Sequence, residues 1–302
     1  MRGLPAARCR HRDDVASRGV VAAAFLTGVV AAAVAWVLLA PSYTGEVFTR
    51  RNFRGRELPT AAGVVLPIVV LAATAVVEFS IAAGAEPDEG LVAGMRLTLV
   101  GALGFGLLGL LDDLAVGEES GGFMAHLRRL VQGRLTTGTV KLFGGTAVAV
   151  VVVALAYATS ASPPGWGRLL ADGALVALAA NLGNLFDRRP GRAIKVALVA
   201  FGALVVTVGA DAELAGVALV AGAAAGLFVP DLRERLMLGD TGSNVLGAAL
   251  GLGVVITSST AVRTGVLIAL AVLNLASERV SFSRVIDRVP PLRAFDRFGR
   301  LP

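Results

Sequence analysis

Nine apolar runs, each close to the length of a bilayer-crossing helix, alternate along the chain with short charged segments. They extend over 19–40, 61–83, 91–111, 138–159, 169–186, 193–210, 214–229, 242–259 and 262–277, and each predicts one helix. The first run is too long, and too poorly flanked by small residues, for a cleaved signal peptide. The expectation is an all-α polytopic membrane protein of nine to ten transmembrane helices. A basic N-terminal tail (1–18) would precede the membrane domain (19–277), and a basic, aromatic C-terminal tail (278–302) would follow it.

Composition turns this pattern into a class. Of 302 residues, 55% are hydrophobic and 37 more are glycine, with mean hydropathy +0.74 and 17% charged residues. A soluble core of this size has no room for so much apolar surface, and disorder is excluded. The single cysteine, Cys9, rules out an intrachain disulfide and a cysteine-ligated zinc site. A net charge of +6 invites nucleic acid as a partner, but the basic residues sit in short loops between apolar runs, which marks topology instead. Twenty of the 28 lysines and arginines fall in one alternate set of loops, which is therefore expected on the cytoplasmic side. That places the N-terminus outside and the C-terminus inside, although the N-terminal tail itself carries five arginines. Small residues at Gly101, Gly104, Gly106, Gly109 and the Gly247-x-x-x-Gly251 pair predict close helix packing.

Unusual polar groups collect at the helix ends of the expected cytoplasmic side, where charge within a span is otherwise costly. The third run ends in Asp112-Asp113, adjacent carboxylates whose side chains point about 100° apart on a helix and so face different partners. Asn181, Asn184 and Asp187 recur in steps of three at the end of the fifth run, a stripe suited to a cavity or a helix interface. The turn that follows, Arg188 to Lys195, is basic and suited to phosphates, with Arg192 and Lys195 its candidate ligands. The eighth run opens Gly239-Asp240-Thr241-Gly242-Ser243-Asn244. There Thr241 or Ser243 is expected to cap the helix, its N-terminus favours an anion, and Asp240 supplies a hard oxygen for Mg²⁺ bridged to phosphate. Lys141 and Lys195 are the only lysines beside 26 arginines, a hint of compact ammonium groups near phosphate.

Read in order, these segments resemble the polyprenyl-phosphate N-acetylhexosamine-1-phosphate transferase superfamily, which includes the phospho-N-acetylmuramoyl-pentapeptide transferases. The resemblance runs from the Pro-Thr loop, Asn52 to Thr60, through Asp112-Asp113 and Asn181-x-x-Asn184-x-x-Asp187, to Gly239-Asp240-Thr241-Gly242-Ser243. It implies Mg²⁺-dependent transfer of a sugar-1-phosphate from a UDP-sugar to undecaprenyl phosphate at the cytoplasmic face of the cell membrane, with release of UMP. It also implies that Asp240 is the metal ligand, Asp112 and Asp113 are the essential aspartates, and Asn184 and Asp187 line the nucleotide pocket. Asn181, Arg192, Lys195, Lys141 and Thr241 complete the candidate substrate contacts. Expected partners are the UDP-sugar, the polyprenyl phosphate, the bilayer and a second copy of the chain, and no nucleic acid.

The chain also departs from the family. Where the pentapeptide transferases read Asp-Gly-x-Asp-Gly, this chain reads Asp187-Arg188-Arg189-Pro190-Gly191, and it lacks their histidine-rich late loop, its histidines being His11 and His126. These changes count against the peptidoglycan pentapeptide as donor and leave the sugar open. Two other readings stand beside transfer: a noncatalytic polyprenyl-phosphate-binding paralogue, and a secondary transporter. The transporter lacks support from a midplane charge or an inverted repeat.

Overall fold

The computed structural model describes residues 6–43, 45–115, 137–158 and 164–301, with the backbone alone at 6–15 and 137. His126, Arg128, Arg129 and Arg134, Thr159 at the end of the fourth run, and residues 1–5 lie outside the described residues. Each apolar run forms one helix: α1 (Ala6–Leu39), α2 (Val65–Ala82), α3 (Glu89–Leu114), α4 (Thr137–Ala158), α5 (Trp166–Phe186), α6 (Arg192–Val208), α7 (Ala215–Leu232), α8 (Gly239–Thr257) and α9 (Thr260–Ser277). Two short helices follow, α10 (Phe282–Arg288) and α11 (Pro290–Arg297). Eight of the long helices are apolar and long enough to cross a membrane. The other, α6, has 17 residues, the lower limit for a span, because charged Arg192 opens it and Gly209, at φ +84°, closes it.

Local signals set several boundaries. Asp88 caps α3 by accepting from the Leu91 amide at 2.9 Å, and Ser259 caps α9 through the Val262 amide. Between α1 and α2 the chain forms a hairpin of β1 (Thr49–Arg51) and β2 (Glu57–Pro59), antiparallel with Arg50 opposite Leu58.

Helices α7 and α8 form the centre and are mostly buried, whereas α9, which packs on α5 at the rim, buries only Leu270 and Asn274. Large side chains such as Leu38, Phe79 and Val206 remain mostly exposed, a surface that suits lipid and not water. The Gly247/Gly251 pair meets α5 at Ala179 and Val176, so the small-residue pattern serves helix packing. Two sets of charges at the end remote from the Asp112-Asp113 pair are paired in place. Glu78 accepts two hydrogen bonds from Arg96, and the fully buried Asp172 is held by Arg168, Arg263 and Tyr157.

Candidate active site

Three helices and the hairpin deliver the motif residues to one end of the bundle. Glycines make this approach possible. A Cβ on Gly109 of α3 would lie 2.4 Å from the Asp240 carbonyl, and one on Gly63 would lie 2.3 Å from Gly242 Cα. The backbones of α3 and of the turn before α2 therefore rest directly on the first turn of α8. The segment after β2 adds main-chain bonds to the approach into α8: Met237 to Pro59 at 2.7 Å, and Gly63 to Leu238 at 2.9 Å.

The paired aspartates of α3 divide as their helical spacing predicts. Asp113 accepts from the amides of Asp240 and Thr241, each at 2.9 Å, and from the Thr241 hydroxyl at 2.6 Å. This corrects the expected cap. Because α8 begins at Gly239, Thr241 lies inside its first turn, and the capping oxygens come from α3 and not from Thr241 or Ser243. The anion that the helix N-terminus favours is thus the chain's own carboxylate.

Asp112 turns the other way, 3.5 Å from the Lys141 ammonium of α4, and Lys141 also contacts Asp240. The Asn184 amide donates to Asp240 at 2.8 Å. Asp112, Lys141, Asp240 and Asn184 therefore form one cluster, with 20 to 28% of the two aspartate and the lysine side chains open to solvent. Asp187, just beyond α5, adjoins it and accepts from the Gly239 amide. Burial, reinforced by the negative charges of Asp231, Asp240 and Asp113, pushes the Asp187 carboxyl well above the usual carboxylate range. Two hard-oxygen carboxylates converging on one cation suit Mg²⁺, which takes few protein carboxylates and completes its shell with water and phosphate oxygens. Among the described residues no group of three or more His, Cys, Asp or Glu side chains encloses a metal without such help.

Three expected site residues lie elsewhere. Asn181 donates to Asn274 at 2.6 Å and ties α5 to α9. Arg192 binds the Asp296 carboxylate through two nitrogens, at 2.7 and 3.0 Å, and donates to Ser283 at 2.8 Å. Lys195 donates to the carbonyls of Phe295, Asp296 and Phe298 at 2.7 to 3.0 Å. Both cations are thus engaged by the C-terminal segment.

Sequence reasoning missed two buried carboxylates that brace this end. Asp231, at the end of α7, accepts from the Gly191 amide at 2.9 Å and fixes the turn after Asp187. Glu234, buried at a left-handed backbone position, holds Arg54, Arg56 and Asn52 of the hairpin. The available signal was the pair of acids after the apolar run of α7, Asp231 beside Pro230 and Glu234 between Arg233 and Arg235.

Comparison with curated proteins supports the resemblance. The chain is 33% identical over 224 residues to the phospho-N-acetylmuramoyl-pentapeptide-transferase of Desulforudis audaxviator, covering 69% of this chain and 65% of that protein. The transferases of the same name from Moorella thermoacetica and Desulforamulus reducens are 29% and 32% identical over 223 and 260 residues. Those alignments cover 68% and 78% of this chain, and 68% and 72% of the relatives. The chain therefore spans about two thirds of the length of the relatives it matches. No family model matches it. On these relatives, the four motifs in order and the membrane-helix architecture, the chain belongs to the polyprenyl-phosphate phospho-sugar transferase superfamily as a divergent member.

Proposed function

We propose that this membrane protein transfers a sugar-1-phosphate from a UDP-sugar to polyprenyl phosphate and releases UMP, at the cytoplasmic face. The observation that carries the reading is the convergence of Asp112, Asp240, Lys141 and Asn184, from four different helices, on one partly solvated point at the bundle end. Bringing two phosphate-bearing anions together requires concentrated positive charge. In this reading Asp112 and Asp240 hold Mg²⁺, which supplies Lewis-acid polarisation and charge neutralisation when bound. Asn184 orients Asp240, and the Lys141 ammonium binds phosphate oxygens as a compact point charge. A phosphate oxygen of the acceptor forms the new P–O bond while the P–O bond to UMP breaks, and UMP carries away the released charge. Asp113, saturated by three donors from α8, acts by positioning Asp240.

The engagement of Arg192 and Lys195 by Asp296 and its neighbours favours a second reading, lipid-phosphate binding without transfer. Purified protein with undecaprenyl phosphate, Mg²⁺ and a panel of UDP-sugars separates the two. Transfer predicts UMP release with at least one donor, lost in Asp240→Asn. Lipid phosphate binding with no UMP from any donor selects the second reading.

A further inference from the structure

We infer that the C-terminal segment, α10 and α11 through Leu301, is a membrane-surface contact that selects anionic phospholipid in the leaflet at the active-site end. Its position comes first. Phe282 stacks on Phe186, the last residue of α5, with ring centroids 5.5 Å apart. Asp296 pairs with Arg192, the first residue of α6, and Lys195 in the same turn binds three carbonyls of the segment. Arg300 donates to the Pro190 carbonyl at 2.9 Å, and Gly299 lies against Leu232 at the end of α7. These anchors are helix termini and the turn between α5 and α6, joined by Arg54 of the hairpin, which donates to the Leu301 carbonyl at 2.9 Å, and they fix the segment at the edge of the apolar bundle, the level where hydrocarbon meets headgroups.

What the segment leaves unpartnered comes second. Asp296 faces the bundle, while Val285, Val289, Leu292, Phe295 and Phe298 stay exposed, Phe298 at 76%. Interleaved with them are the exposed side chains of Arg284, Arg288, Arg293 and Arg297. Among the described residues none of these four makes an ion pair, and Arg293 reaches only the Asp287 carbonyl at 3.5 Å. Their acidic neighbour on the exposed side is Asp287. Aromatic and aliphatic groups mixed with unpaired arginines, held at the bilayer edge, match an interface of acyl chains and anionic headgroups. Arginine also presents the planar donor array that binds phosphodiester oxygens.

The test is optical and independent of turnover, so its failure is distinct from failure of the transfer reading. Cys9 is the sole cysteine, so a Cys9→Ser chain accepts a single environment-sensitive label at Phe298→Cys, with Leu292→Cys as a second site and Arg51→Cys as a control on the exposed hairpin. In full-length protein reconstituted into vesicles, brominated phosphatidylglycerol is expected to quench the labels at 298 and 292 more strongly than brominated phosphatidylcholine, and to spare the control. Replacing Arg284, Arg288, Arg293 and Arg297 together by Gln is expected to remove the difference between the two lipids. Equal quenching by both lipids in the parent protein overturns the charge selectivity. Labels quenched by aqueous iodide and by neither lipid overturn the membrane contact altogether and point to solvent or a protein partner.

Discussion

Asp112 and Asp113 are neighbours in sequence and opposite in duty, and substitution separates them. Asp113→Ala removes the acceptor for two amides and a hydroxyl at the start of α8, a cost of about 1–3 kcal/mol that a thermal melt in detergent reads as a lower Tm. Asp112→Asn removes no donor's partner from the α8 cap, so the Tm is expected to hold while transfer falls. Asp240→Asn is expected to abolish both transfer and the rise in Tm produced by Mg²⁺, whereas Asn181→Ala leaves that rise intact because Asn181 serves the α5–α9 contact. A Mg²⁺-induced shift of parental size in Asp240→Asn contradicts the assignment of the metal ligand.

Among the elements, the C-terminal clasp has a pH dependence of defined sign. Burial raises the Asp296 carboxyl, but the Arg192 hydrogen bonds and the charges of Arg192, Arg300 and Lys195 outweigh it and hold the group below the usual carboxylate range. A folded value below the unfolded one contributes stability that is complete above about pH 4 and is lost as the pH falls through the folded value. The clasp is therefore expected to open only in acid, followed as increased protease access to 282–301. Arg192→Ala should loosen it at neutral pH, because breaking a buried pair costs up to about 3–5 kcal/mol and the remaining Arg300 contact offsets only part of that. Helix contacts are equally strict: Gly109→Ala is expected to cost about 1–3 kcal/mol through overpacking against α8. The sequence made the helices legible because hydrophobic runs and their polar ends are local properties, and observed boundaries lie within a few residues of the expected ones except at the start of α1, which extends thirteen residues further, to Ala6, through the polar segment before the first run. It did not show the partners of Arg192 and Lys195, which lie about a hundred residues away, and it misplaced the α8 cap, whose acceptor comes from α3. No spacing rule reports such long-range pairing.

For the whole molecule, the positive-inside distribution makes a topological prediction. The cysteine of an Arg51→Cys, Cys9→Ser chain should react with an impermeant maleimide in inverted membrane vesicles and stay protected in intact cells. The reverse pattern would turn the bundle over and set the site outside. The way α8 is seated bears on how such a protein diversifies. Its first turn rests on Gly109, Gly63 and Gly183 through main-chain atoms, so the floor beneath Asp240 offers almost no side chain for selection to exchange. Side chains free to vary beside this floor are those of the hairpin between Arg51 and Glu57 and of the turn from Arg188 to Gly191, which meet where Arg189 lies over the Phe53 ring. If the transfer proposed above holds, exchange of those two segments between relatives is expected to alter donor preference, read as UMP release across the UDP-sugar panel.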